Sequence, residues 1–268
     1  MKLQDLFKVD KPIIGVVHLK PLPGSPRYGG SLDEVLGQAL RDCRALVDGG
    51  VNGILVENYG DAPYLPRRVG PETVASMAVV VKELVKQVRV PVGVNVLRCD
   101  GEAALAIAAA CNASFIRVNV YVGAAITDQG LIEGRSYDIV RLRFRLRTDV
   151  KVFADVAVKH AAPLTYRSAA EEALDAIERG LADAVILTGR RTGQPPSINM
   201  LEEVKKVLPN TPVLVGSGVN LENVISLLSI ADGAIIGTYF KEKGQIDQPV
   251  DRDRVKRLVN TVLRLRGQ

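Results

Sequence analysis

Eight short apolar runs, each followed by a stretch of helical periodicity, constrain this chain more than any other feature. The runs are Ile13–His18, Gly53–Glu57, Val92–Leu97, Phe115–Tyr121, Val150–Val158, Ala184–Thr188, Val213–Gly216 and Ala234–Thr238. Most are rich in Val or Ile, and continuous apolarity suits parallel strands covered on both faces. Between the first two, Leu32–Val47 carries Leu32, Val35, Leu36, Ala39, Leu40, Cys43 and Leu46, the spacing of one helix face. Ser31 with Glu34 gives it a capping-box start, and Gly49 and Gly50 give it a stop. Pro71–Val88, Glu102–Ala110, Tyr137–Arg147, Ser168–Arg179, Met200–Val207, Leu221–Leu228 and Arg252–Leu265 continue the series. Strand then helix, eight times over, points to a barrel or a doubly wound sheet.

Loop lengths separate the two. Helix-to-strand connections are short, as at Gly49–Asn52 and Arg89–Pro91. Strand-to-helix connections are often long, as at Leu19–Gly30, Asn58–Gly70, Val122–Ser136 and Gly189–Ser197. A (β/α)8 enzyme has this polarity, because its functional loops follow its strands. No Gly-x-Gly-x-x-Gly follows the first strand, where a dinucleotide-binding sheet would carry it. The expectation is one (β/α)8 TIM barrel over residues 1–268, of the ribulose-phosphate-binding type.

Composition excludes several alternatives. Aromatic residues make up 4% and the net charge is +5. Lys and Arg are dispersed, so a nucleic-acid partner is not expected. No apolar stretch is long enough to span a bilayer. Cys43, Cys99 and Cys111 form no metal-type pair and no disulfide framework, which suits a reduced, cytoplasmic setting. Cys99 lies near a strand end with no base beside it. A homo-oligomer is the base-rate expectation for a barrel.

Side chains alternate faces along a strand. In Phe115-Ile-Arg-Val-Asn-Val-Tyr121, Arg117 and Asn119 therefore share the inward face, with Ile116, Val118 and Val120 opposite. In Phe153-Ala-Asp-Val-Ala-Val-Lys-His160, the same rule pairs Asp155 with Lys159. Glu57 and Asn95 point inward too, and the first strand ends in His18. Burying such groups is costly unless they pair or meet solvent. Arg117 suits a buried salt bridge with Glu57 or Asp155, and Asn95 and Asn119 suit backbone satisfaction. Their convergence at strand ends is where barrel active sites occur. The catalytic candidates are Glu57 or Asp155 as general base, His18 or His160 as proton donor, and Lys159 as oxyanion stabiliser, Schiff-base former or salt-bridge partner of Asp155. Asn95, Arg117, Asn119 and Thr188 are ligand-binding candidates. Glu57, Asp155 and His160 also suit a divalent metal, although no spaced metal motif is present and no cofactor is expected.

The last two strands run into Val215-Gly-Ser-Gly-Val-Asn220, directly before an expected helix, and into Ile235-Ile-Gly-Thr238. Glycines allow close approach to a ligand, and exposed amides near a helix start favour an anion. Barrels commonly hold phosphate between these two loops. Gly216, Ser217, Gly218, Gly237 and Thr238 are the phosphate-binding candidates. Thr188-Gly-Arg-Arg-Thr-Gly193 would add charge over the same mouth, and Lys20-Pro-Leu-Pro-Gly-Ser-Pro-Arg27 would form a lid or a stiff connector.

Several motifs resemble the BtpA/SgcQ family over essentially the whole chain. They are Gly15-Val-Val-His-Leu-Lys-Pro-Leu-Pro-Gly-Ser-Pro26, Gly53-Ile-Leu-Val-Glu-Asn58, Gly93-Val-Asn-Val-Leu97, Phe115-Ile-Arg-Val-Asn119, Asp155-Val-Ala-Val-Lys-His-Ala161 and Gly216-Ser-Gly-Val219. The first and fifth are the most specific. The resemblance implies a phosphate-binding barrel. In that family one member is linked to photosystem I accumulation, and others look like sugar-metabolism proteins or carry a nucleotide-hydrolase label. It supplies no catalytic set. Two functions follow: an enzyme acting on a phosphorylated small molecule such as a sugar phosphate or nucleotide derivative, or a non-catalytic binding or assembly factor using the barrel-top loops. Isomerase, epimerase, lyase and hydrolase chemistry are all compatible with the first.

Overall fold

A computed structural model describes residues 1–268 except Tyr166, Arg190 and Gln268. Its centre is a closed barrel of eight parallel strands: β1 (Ile13–His18), β2 (Gly53–Glu57), β3 (Val92–Asn95), β4 (Phe115–Val118), β7 (Lys151–Val156), β9 (Ala184–Leu187), β10 (Val213–Val215) and β11 (Gly233–Ile236). Each strand pairs with the next, and β11 closes on β1 through Ile13↔Ala234 to Gly15↔Ile236. The chain is a TIM barrel, as its alternating pattern predicts.

Helices α2 (Leu32–Asp48), α3 (Pro71–Gln87), α4 (Gly101–Cys111), α5 (Ser136–Arg145), α6 (Ala169–Leu174), α7 (Ile198–Val207), α8 (Val224–Ile230) and α9 (Arg252–Leu265) connect the strands. Ser31 Oγ accepts the Glu34 N–H at the start of α2, and Asp100 and Ser197 do the same for α4 and α7. Such caps satisfy amides that a helix start leaves unpaired. The helix expected over Ser168–Arg179 is instead α6 followed by a π-helical turn at Asp175–Arg179.

The core has two layers, as strand alternation requires. Ile13, Val17, Ile54, Val56, Ile116, Ala154 and Val156 pack outward against helices. Ile14, Val16, Leu55, Phe115, Phe153, Ile186, Leu214 and Ile235 fill the barrel. A short helix that the periodicity did not suggest, α1 (Leu3–Phe7), adds Leu3 and Phe7 to that inner cluster. The Phe7 ring meets Phe115 edge-on at 5.7 Å. Phe115 opens β4, so α1 closes the N-terminal end of the barrel.

The long connection after β4 is not a plain loop. It carries the hairpin of β5 (Ala124–Thr127) and β6 (Gly130–Glu133). β8 (Ala161–Pro163), from the connection after β7, joins it to make a three-stranded antiparallel sheet. Both connections leave C-terminal strand ends, so this sheet lies at the C-terminal mouth of the barrel.

Candidate active site

Arg117 is the hub of the mouth. It is 3% exposed and meets two carboxylates. Its Nε and Nη2 donate to the two oxygens of Asp155 at 2.8 and 3.0 Å, and Nη1 donates to Glu57 Oε1 at 3.2 Å. Asn119 Nδ2 donates to Asp155 at 2.8 Å. Asn95 Nδ2 in turn donates to Asn119 Oδ1 at 3.2 Å and to the Arg117 carbonyl at 2.9 Å. Burial works against the guanidinium charge, but Asp155 and Glu57 outweigh it and hold its pKa above the ordinary value.

His18 Nε2 lies 3.9 Å from Glu57 Oε2, and its ring packs edge-on against Tyr59 at 4.9 Å. Burial, with Lys241, Lys159 and Arg117 nearby, holds this imidazole well below its ordinary pKa of 6.5. It is therefore neutral near pH 7. Its Nδ1 is buried without a hydrogen-bond partner among the described residues. Burial and the Glu57 charge push the Tyr59 phenol up, so it stays protonated.

These groups open onto a cavity of about 300 Å³ whose lining includes His18, Glu57, Tyr59, Arg117 and Lys159. Gly216-Ser217-Gly218-Val219 and Gly237-Thr238-Tyr239 line it too. Among the described residues, the backbone N–H groups of Ser217, Gly218, Val219, Gly237, Thr238 and Tyr239 donate to no protein acceptor. The glycines permit the close approach. A Cβ on Gly237 would stand 2.6 Å from the His18 ring, and one on Gly216 would stand 2.4 Å from Ile186 and 3.3 Å from Arg117 Nη2. Gly218 has φ of +72°, with Pro195 against its missing Cβ.

The helix after this turn starts later than the sequence suggests. Asn220 Oδ1 accepts the N–H groups of Glu222 and Asn223, and Asn223 Nδ2 donates to the Gly218 carbonyl. This Asx-type turn delays α8 to Val224, so the free amides belong to the turn itself. The Ser217 hydroxyl is occupied too. It donates to the Gln194 carbonyl at 2.6 Å and accepts the Gly189 N–H at 3.3 Å, fastening the 189–194 loop.

Other expected residues sit differently. Asp155, Asn95 and Asn119 are buried in the Arg117 network and do not line the cavity. β7 ends at Val156 and Ala157 has φ of 50°, so strand alternation does not carry Lys159 inward. It nonetheless reaches the cavity from the following turn. His160 is exposed, and its Nε2 accepts the Thr192 N–H. It braces the loop rather than facing the cavity. Thr188 Oγ1 accepts the Lys159 N–H at 3.0 Å and so supports the backbone of that turn. Arg190 lies outside the described residues; Thr192 and Gly193 of its loop do line the cavity. Lys20–Arg27 packs on the Tyr59–Asp61 turn through the Leu22 N–H to Asp61 bond, as a connector. Glu57, Asp155 and His160 do not converge into a metal-holding group among the described residues. Burial pushes the Cys99 thiol up to about 11.

Sequence reasoning missed Tyr59, Arg98 and Arg254. Arg254 lines the cavity, with its guanidinium 4.5 Å above the Tyr239 ring and Nε donating to the Tyr239 carbonyl at 2.7 Å. Nothing in the local pattern of α9 separates it from Arg252 or Arg257. Arg98 donates to the Lys159 carbonyl at 2.6 Å. Among the described residues, no helix is long and apolar enough to cross a membrane.

The pattern of the BtpA family matches residues 9–264. The chain belongs to the BtpA family. It is 45% identical over 262 residues to the photosystem I biogenesis protein BtpA of Synechocystis, covering 98% of this chain and 91% of that protein. It is 34% identical to the SgcQ protein of Escherichia coli over 267 residues, covering 98% of each. Among solved structures, one described as native KDPGal superposes with a TM-score of 0.61 at 17% identity, covering 96% of this chain and 97% of that one. At that identity the likeness concerns the fold alone. The matched span includes α9 and Arg254.

Proposed function

We propose that this BtpA-family chain is an enzyme acting on a phosphorylated small molecule, such as a sugar phosphate or nucleotide derivative, by acid–base chemistry at the C-terminal mouth. The observation that carries this reading is the juxtaposition of the free amides at 217–219 and 237–239 with Glu57, His18 and Lys159 around one cavity. An anion is drawn to unpaired backbone N–H groups. Thr238 and Arg254 add a hydroxyl and a cation at that wall. Anchored there, a substrate projects its other end toward Glu57. This carboxylate keeps Oε2 directed at His18 while Arg117 holds Oε1, and so serves as the base.

The test is thermal unfolding with inorganic phosphate and a panel of phosphorylated metabolites. Phosphate and at least one metabolite raise the midpoint, and Arg254→Gln weakens both shifts. Glu57→Gln lowers turnover of that metabolite by about 10²–10⁴-fold while leaving its binding intact. A panel with no shift overturns the reading.

A second reading has its own observation. The Synechocystis relative is named for photosystem I biogenesis. The three-stranded sheet here borders an apolar groove of about 1000 Å³ lined by Val122, Ala125, Val158, Leu164 and Met200. On that reading the barrel-top surface serves an assembly factor without turnover. A metabolite that is bound but never converted, with Glu57→Gln neutral, favours it.

A further inference from the structure

Lys159 occupies a turn built to hold it. The two residues around it in left-handed backbone are not glycine: Ala157 has φ of 50° and His160 has φ of 56°. Such conformations are unfavourable for residues other than glycine and persist where the surroundings impose them. Three elements do so here. Glu172 accepts the Ala157 N–H at 3.1 Å, Thr188 accepts the Lys159 N–H at 3.0 Å, and Arg98 donates to the Lys159 carbonyl at 2.6 Å.

Among the described residues, the side chain so positioned makes no ion pair. Lys159 lines the cavity with Glu57, His18 and Arg117. Its Nζ makes no hydrogen bond or ion pair among the described residues. Asp155, the expected partner, is taken by Arg117 and Asn119. Burial lowers the ammonium pKa, Arg117 and Arg98 lower it further, and Glu57 and Asp155 oppose them without reversing the shift. A lysine in this state has an enlarged free-amine fraction, the form that attacks carbon.

We propose that Lys159 forms an imine with a carbonyl carbon of a phosphorylated aldehyde or ketone. This rests on the anion reading of the 217–219 and 237–239 wall. The neutral Nζ attacks the carbonyl carbon and forms the C–N bond, while the carbonyl π pair moves to oxygen, which takes a proton. Nitrogen then gives up a proton. A second protonation of the oxygen lets it leave as water, and the nitrogen lone pair closes the C=N bond, so one proton is consumed overall. Glu57 relays these protons between nitrogen and oxygen. The resulting iminium withdraws electrons from the neighbouring C–H or C–C bond, which narrows the chemistry to isomerisation or carbon–carbon cleavage next to a carbonyl. Thr188 and Arg98 are positioning residues for this nucleophile.

The experiment uses glycolaldehyde phosphate, glycolaldehyde and sodium borohydride on the full chain, with adducts mapped by peptide mass spectrometry. The reduced adduct forms at Lys159 faster than at exposed lysines, because more of this amine is in the free form that attacks carbon. Inorganic phosphate blocks it, and glycolaldehyde labels Lys159 more slowly than its phosphate does. Lys159→Arg abolishes that adduct while keeping the thermal shift with phosphate. Labelling of Lys159 no faster than exposed lysines, with the phosphate shift intact, overturns the imine and leaves the anion site standing. Loss of the phosphate shift in the wild type overturns both.

Discussion

One layer below the mouth, the inward positions of the barrel are Val16, Leu55, Gly93, Phe115, Phe153, Ile186, Leu214 and Ile235. Two residues further along the same strands stand His18, Glu57, Asn95, Arg117, Asp155, Thr188, Gly216 and Gly237. The lower layer is closed by packing: Phe115 stacks on Phe153 at 4.9 Å, and α1 seals it with Phe7. The upper layer is closed by hydrogen bonds around Arg117 on one side and by glycines on the other. A single step of strand period changes what the barrel does, because the pleat returns side chains to one face every second residue. The lower layer answers to volume, whereas the upper one answers to pairing.

The sharpest contrast comes from adjacent inward residues of β4. Phe115→Ala removes a fully buried ring and costs about 3–5 kcal/mol, the range for aromatic truncation in a core. Arg117→Met fills similar space but strands two buried carboxylates, and it costs a comparable 3–5 kcal/mol or so. Urea unfolding reads both. Removing the stranded carboxylates separates them: adding Glu57→Gln and Asp155→Asn shrinks the Arg117→Met loss and leaves the Phe115→Ala loss unchanged. An Arg117→Met protein as stable as the wild type at pH 7 would dissolve the distinction between the layers.

The period of two made this layering legible. Arg117 and Asn119, Asp155, Glu57 and Asn95 stand on the faces that alternation assigns them, and Gly216 and Gly218 after β10 and Gly237 after β11 line the same mouth. What escaped lies where the chain leaves the strand. Lys159 follows a left-handed Ala157, so its direction is set by Thr188, Arg98 and Glu172, which are distant in sequence. Arg254 reaches the cavity from α9 through contact with Tyr239, a relation no local pattern encodes. α1 is a single short turn with no periodicity to detect, and the β5–β6 hairpin spans a segment whose composition resembles a loop.

The upper layer also carries a pH signature that the lower one lacks. His18 is neutral when folded and has its pKa held well below 6.5, whereas in the unfolded chain it titrates near that ordinary value. Below about pH 6.5 the unfolded state binds a proton that the folded state refuses, so this group removes up to about 1.4 kcal/mol of stability per pH unit. The loss ends once pH falls through the depressed folded value. In His18→Asn, that component of the slope between pH 6.5 and 5 disappears. An unchanged slope in this variant would place His18 among solvated histidines instead.

The smallest expected effect is also the most diagnostic. Thr188 stands two residues beyond Ile186 on the same strand line, yet its hydroxyl serves only backbone: it accepts the Lys159 N–H and donates to the Ala157 carbonyl. Thr188→Val preserves the shape of the side chain and removes both bonds, at a cost of about 1 kcal/mol. Thr188→Ser keeps the hydroxyl and recovers most of it. A merely structural role ends there. If Thr188 instead sets where Lys159 points, Thr188→Val also slows borohydride-trapped labelling of Lys159 and leaves phosphate stabilisation unchanged, with Thr188→Ser restoring the rate. Equal labelling in all three proteins would detach the left-handed turn from the lysine it surrounds, and would return Thr188 to the packing logic of the layer beneath it.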